Sequence, residues 1–161
     1  MTLRTTPVSG PADVRAFFDR LAPLYRDCHG PAARLLRYRL GIIRRLLGDC
    51  GRGLLVEIGC GTGLHLFPLA EDFERVHGTD LSPGMISAAE TLRAGHDHAD
   101  SITLSVDPAE LLGTVADGSA DAVLCVGAFE HIPDKAAVLR QAQRVLKQGG
   151  VFVCLTPDAN F

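Results

Sequence analysis

Three glycines at alternate positions, Gly59, Gly61 and Gly63, follow directly on the apolar run Leu54-Leu55-Val56-Glu57-Ile58. Asp80 ends the next apolar run, about twenty residues further on. Glycine permits positive φ and lets a ligand lie against bare backbone. A carboxylate at the end of the second run can accept both hydroxyls of a ribose. Together these features describe a nucleotide-binding turn at the carboxyl edge of a parallel sheet, where open α/β folds bind their ligands. A tight turn with no ligand would also use the glycines, but it gives no reason for run, turn, helix, second run and acid to occur in that order.

The same residues bear on which nucleotide. The dinucleotide fingerprint needs another Gly or Ala five positions after its first glycine, and here that position is Leu64. Glu57, two residues before Gly59, is badly placed for a pyrophosphate, and its charge favours a cation. S-adenosylmethionine carries an ammonium and a sulfonium and no phosphate. Electrostatics therefore favour that methyl donor, with a nicotinamide-dependent oxidoreductase as the weaker alternative. Cys60, inside the turn, reads as a small filler rather than a nucleophile.

Apolar spacing shows which elements must position these residues. From residue 53 onward short apolar runs alternate with helical stretches, the pattern of a parallel sheet with crossover helices. Strands are predicted at Gly53–Ile58, Arg75–Thr79, Ile102–Val106, Ala122–Val126 and Val151–Leu155. Helices are predicted over 62–71, 83–93 and 134–147, with a short one near 108–112. Ser82 and Pro83 form an N-cap followed by Pro at the first helical position. Pro133 and Asp134 open the last helix, and Gly149 and Gly150 close it. Pro68, inside the first crossover helix, should kink it. Upstream, Val14, Phe17, Phe18, Leu21 and Tyr25 fall at helical spacing over 12–27, with Pro23 weakening the last turn. A second helix from Pro31 to Leu47 sets Leu36, Leu40, Ile43 and Leu47 on one face, opposite most of its arginines. Residues 1–52 thus read as a helical leader and 53–161 as the ligand-binding α/β domain.

Composition bounds the alternatives. The 161 residues, 47% hydrophobic and 22% charged, fit one globular domain and exclude collagen-like, coiled-coil and disordered classes. No apolar run approaches the roughly 20 residues that span a bilayer, and the opening residues lack the apolar stretch of a secretory signal. Cys28, Cys50, Cys60, Cys125 and Cys154 are scattered, with no CxxC pair, which argues against a disulfide framework or zinc cluster and for the cytoplasm. His96, Asp97, His98 and Asp100 fall in a polar connection and read as a solvated loop, so no metal is expected. The net charge of −3 is uneven: 10 Arg against 4 Asp give +6 in residues 1–52, and 6 Lys or Arg against 15 Asp or Glu give −9 in 53–161. The leader should be drawn to the acidic domain. It lacks aromatic residues spaced for base stacking, so nucleic acid is not the expected partner.

Four segments resemble motifs of the class I S-adenosylmethionine-dependent methyltransferases, in order and across residues 53–157. They are Glu57-Ile58-Gly59-Cys60-Gly61-Thr62-Gly63, Gly78-Thr79-Asp80-Leu81-Ser82-Pro83-Gly84-Met85, Asp117-Gly118-Ser119-Ala120-Asp121-Ala122-Val123 and Val145-Leu146-Lys147-Gln148-Gly149-Gly150. The resemblance implies a Rossmann-like, doubly wound parallel sheet. It implies that Gly59, Cys60, Gly61 and Gly63 line the methionine and ribose portions of the donor, with Glu57 near the ammonium. Asp80 would bind the ribose diol. Leu81 and Met85 would cover one adenine face, and Asp107, followed by Pro108, would accept from the adenine amine. Val126, at the end of the fourth strand, would be a further donor-binding residue. The segment around Phe17 to Tyr25 resembles a leader folded across the donor, with Tyr25 over it, although a core-packing Tyr is an equal reading.

Methyl transfer is an in-line displacement at a carbon already activated by the sulfonium, so positioning and exclusion of water dominate. A hydroxyl acceptor also needs its proton removed. His131, in Phe129-Glu130-His131-Ile132-Pro133-Asp134 after the fourth strand, is the candidate general base. The other reading, that Glu130 and His131 hold this loop by hydrogen bonds, stays open. The segment also resembles the ubiquinone-biosynthesis O-methyltransferases, whose Glu-x-x-Glu-His is thought to bind a divalent ion, but the first of those positions is Gly127 here. A small-molecule acceptor is expected, with S-adenosylhomocysteine as product; a catalytically idle donor-binding module is the rival. Two further strands normally follow the fifth in this family, so Val151–Leu155 is expected to be a bare apolar edge in a truncated chain, or one that pairs in a homodimer.

Overall fold

The computed structural model describes residues 10–25 and 32–156. Its five strands form one parallel sheet: β1 (Leu54–Ile58), β2 (Arg75–Asp80), β3 (Ile102–Val106), β4 (Ala120–Val126) and β5 (Leu146–Leu155), in the order β3-β2-β1-β4-β5. The central strands β1 and β4 are buried almost throughout because helices cover both faces, and alternate residues feed two separate cores. On one face Leu40, Ile43 and Leu47 of α2 (Ala32–Leu47) pack with Leu55, Val76 and Leu124. On the other, Val138, Ala142 and Val145 of α5 (Lys135–Val145) pack with Val56, Ile58, Val123 and Cys125. The arginine-bearing helix α2 is therefore part of the core. Its Arg44 reaches the carboxylates of Asp72 at 2.7 Å and Glu71 at 2.6 Å.

The signposted helix starts form as expected. Ser82 Oγ accepts from the Met85 N–H at 3.0 Å at the head of α4 (Pro83–Arg93), and Asp134 Oδ1 accepts from the Ala137 N–H at 2.8 Å before α5. α1 (Pro11–Leu21) ends where Pro23 breaks the pattern, in a single 3-10 turn over Ala22–Leu24. The expected continuation to residue 27, the start at Pro31 and Cys28 lie outside the described residues.

Three expectations need correction. The helix predicted over 62–71 shrinks to α3, Leu66–Leu69, because residues 61–65 form turns after glycines at positive φ. Pro68 consequently sits in a first turn, where its missing N–H costs nothing and no kink arises. No helix forms at 108–112; the segment is a turn that reverses at Leu112, φ 42°, and drops Leu112 and Val115 into the core beside α5. The last helix stops at Val145, and β5 begins at Leu146, with a register irregularity opposite Ala120 and Ala122 that Gly149, φ 79°, accommodates. Among the described residues β5 has no strand on its outer side, and no helix is long and apolar enough to cross a membrane.

Candidate active site

The order β3-β2-β1-β4-β5 reverses direction between β1 and β4, and a crevice opens at their carboxyl ends. β1 delivers the chain into Gly59, φ 66°, and Gly61, φ 53°. A Cβ on Gly59 would lie 2.3 Å from the Ala128 Cβ, so any side chain there would break the joint between the glycine turn and the loop after β4. Asp80, at the end of β2, holds the turn: its Oδ2 accepts from the Gly61 N–H and its Oδ1 from the Ser82 N–H, both at 2.9 Å. Burial still raises its pKa above the ordinary carboxylate range, against the pull of these donors.

The leader closes the crevice from above. Asp19 of α1 accepts at Oδ1 from Ser82 Oγ at 2.5 Å and from the Gly84 N–H at 3.0 Å. The Ser82 and Gly84 bonds hold its pKa below the ordinary value. Tyr25 lies over Gly61, with ring carbon Cε1 3.6 Å from where a Gly61 Cβ would stand. Burial, with Asp80 and Glu57 nearby, raises the Tyr25 pKa. Phe18 meets the His131 ring edge-on, centroids 5.4 Å apart. The resulting cleft is open to solvent.

Of the residues singled out from sequence, Gly59, Gly61, Asp80 and Asp107 line this cleft as its polar and backbone wall. Tyr25, Leu81, Met85, Val126 and His131 line it as well. Glu57, Cys60, Gly63 and Pro108 do not. Glu57 is 1% exposed beneath the glycine turn, its Oε1 3.6 Å from His65 Nδ1, and burial raises its pKa against the favourable effect of His65. Its place next to an ammonium is thus not one the geometry offers directly. Cys60 points into the core, where burial keeps the thiol protonated, in keeping with a filler. Gly63 faces the Phe67 ring, 2.6 Å from a notional Cβ. Asp107 Oδ2 is already taken by the Thr114 N–H at 2.8 Å and Oγ1 at 2.7 Å, which leaves Oδ1 for a ligand.

Of the segment expected to fold across the donor only Tyr25 is singled out from sequence; Phe18 and Asp19 of that segment, with Arg15 of α1 and Glu110 beyond β3, also lie on or beside the cleft. Only the i, i+4 pair Arg15 and Asp19, 3.7 Å apart, had a local signal. The loop after β4 is held by backbone bonds, including Gly127 N–H to Leu155 O at 2.8 Å and His131 N–H to Ala128 O at 3.0 Å. The side chains of Glu130 and His131 make no hydrogen bond among the described residues, so they are not what holds it.

Strand order, two-sided helical cover and a cleft at the carboxyl ends of β1 and β4 define a Rossmann-like α/β protein of the class I S-adenosylmethionine-dependent methyltransferase type. The methyltransferase domain family matches residues 56–154, and the chain belongs to it. A ubiquinone biosynthesis O-methyltransferase from Xanthomonas oryzae pv. oryzae is 32% identical over 93% of this chain and 64% of its own length. A chain from the complex between the Haloferax volcanii Trm112 methyltransferase activator and a methyltransferase is 29% identical, with TM-score 0.70 over 85% of this chain and 58% of that one. The cyclase SpnF shares the fold, with TM-score 0.83 over 96% of this chain and 64% of that one at 19% identity. The chain spans less than two thirds of the length of the curated relatives it matches.

Proposed function

We propose that this chain binds S-adenosylmethionine and transfers its methyl group to a small-molecule acceptor. The observation that carries the reading is Asp80, fixed at the cleft by two backbone N–H groups, one on each oxygen. Each oxygen keeps a second acceptor site, which suits two adjacent hydroxyls. The bare backbone of Gly59 and Gly61 lines the cleft, and Leu81 and Met85 offer an apolar wall for a flat base. When bound, the donor supplies a methyl carbon activated by its sulfonium. The chain's own residues would hold that carbon and the acceptor in line and keep water out. Here α1 serves as the lid of the leader, 1–52, over the domain 53–161. His131, whose ring faces the cleft and makes no hydrogen bond among the described residues, would take the proton from a hydroxyl acceptor. Four cysteines, Cys50, Cys60, Cys125 and Cys154, are free thiols, which suits the cytoplasm.

Calorimetric titration with S-adenosylmethionine and turnover of a labelled methyl group test the reading. Binding with no turnover on any acceptor would leave an idle donor-binding module. Binding of NAD in place of the donor would restore the oxidoreductase alternative. The outer edge of β5 would pair with a second copy. A monomer by light scattering, together with protected β5 amides in hydrogen exchange, would refute that pairing.

A further inference from the structure

The second face of the sheet carries a polar chain that leads to the cleft from behind. His77 of β2 stands opposite Thr103 of β3 in register, and its Nδ1 lies 2.8 Å from Thr103 Oγ1. The turn of residues 107–115 folds back over this face, anchored by Leu112 and Val115 in the core, and brings Thr114 Oγ1 to 3.1 Å from His77 Nε2. Thr114 Oγ1 spends its one proton on Asp107 Oδ2, at 2.7 Å. Toward His77 it can therefore only accept, so Nε2 carries the imidazole proton and Nδ1 accepts from Thr103. The chain then runs in one direction, Thr103 to His77, His77 to Thr114 and Thr114 to Asp107, with the Val76 carbonyl at 3.4 Å a longer, competing acceptor for the Thr103 hydroxyl. Burial lowers the His77 pKa, more than the nearby Asp107 charge raises it, in keeping with a neutral ring that has one donor and one acceptor.

We propose that His77 is a positioning residue for donor recognition, which through Thr114 fixes the Asp107 carboxylate so that Oδ1 faces the 6-amino group of the adenine. The inference rests on the reading of the cleft as a donor site and adds to it a residue that touches no ligand. Asp107 Oδ2 is pinned by two donors from one residue, so the carboxylate plane is set by where Thr114 stands. Among the described residues the hydroxyl of Thr114 has no other partner than His77 and Asp107. Without the ring, that hydroxyl can turn away, Oδ2 loses one of its two donors, and Oδ1 loses its fixed direction.

Calorimetric titration of the full chain with S-adenosylhomocysteine, and with its purine analogue lacking the 6-amino group, tests this. The wild type should bind the amino form more tightly. His77→Phe and Thr114→Val should each raise its Kd about three- to tenfold, the size of one lost hydrogen bond. They should leave the Kd of the purine analogue within about twofold, and His77→Gln, which keeps one donor and one acceptor, should recover the amino form. Thr114 is exposed, so Thr114→Val gives the result even if His77→Phe fails to fold. Equal losses for both ligands would show a merely structural role and overturn the proposal. So would unchanged affinities in both variants when Asp107→Asn weakens the amino form. A wild type that binds neither ligand would overturn the donor-site reading and this proposal with it.

Discussion

Asp19→Ala removes the hydrogen-bonded contact that latches α1 to the head of α4. Its carboxylate takes the Ser82 hydroxyl at 2.5 Å and the Gly84 N–H at 3.0 Å, at the N-terminus of α4. A notional Cβ on Gly84 would come within 3.2 Å of the Asp19 Cα, so the two helices meet here closely enough for the bonds to be specific. Hydrogen bonds to a charged group are worth about 1.5–3 kcal/mol each, and an acid at a helix N-terminus about 0.3–1 kcal/mol. The side chain is 35% exposed, so water replaces much of what is lost, and a net cost of about 1–2 kcal/mol is expected for docking α1. That is about a 5- to 30-fold shift toward an undocked leader. Ser82 keeps its bond to the Met85 N–H, so α4 and the melting temperature should change little. The assay is hydrogen exchange at the α1 amides together with the dissociation rate of S-adenosylhomocysteine, both expected to rise by that factor. Exchange and dissociation within about twofold of wild type would refute the reasoning. The pH dependence has a definite sign. The folded pKa is lowered, so the contribution is complete above the ordinary carboxylate value of about 4 and is lost only as pH falls through the lowered value. The latch should therefore be insensitive to pH between about 5 and 8.

How much of this was legible in the sequence follows from the range of the interactions. The first four strands, the glycine turn and the Ser82 and Asp134 caps are local patterns, and each forms where its residues stand, whereas β5 starts early, at Leu146. Helical spacing over 62–71 was misleading because three successive positive-φ glycines hold the chain in turns until Leu66. The turn at 108–112 looked helical since Leu111 and Leu112 continue an apolar pattern, but Leu112 enters a core made by α5, far along the chain. Glu57 illustrates the opposite failure. Its position before the glycines suggests a ligand contact, whereas the fold buries it with His65 3.6 Å away. Asp19 and Ser82 are 63 residues apart and His77 and Thr114 37 apart, with no motif to link either pair. Only the fold brings them together.

Three substitutions probe the remaining parts of the site. Gly59→Ala places a methyl 2.3 Å from the Ala128 Cβ at φ 66°, and is expected to cost about 2–4 kcal/mol by thermal melt and to abolish donor binding; a fully stable variant would mean that the loop after β4 yields freely. His131→Ala, if the ring takes the acceptor's proton, should lower turnover by about 10²-fold or more while donor affinity stays unchanged, and an unchanged rate at every pH would remove the base. Glu57→Gln tests the cost of the buried acid. Burial raises the Glu57 pKa in the folded state, so the folded protein binds more protons than the unfolded chain, and stability falls as pH rises from the ordinary value of about 4 through the raised one. Among the described residues Glu57 Oε2 and His65 Nε2 are both buried without a hydrogen-bond partner, so ionisation is compensated on one oxygen only. Replacing the acid by the amide removes the ionisation and should flatten this descent, making the variant as stable as wild type or more so at pH 8. If wild type and variant lose stability in parallel between pH 5 and pH 8, the descent belongs to another group, with Asp80, also raised by burial, the next to test.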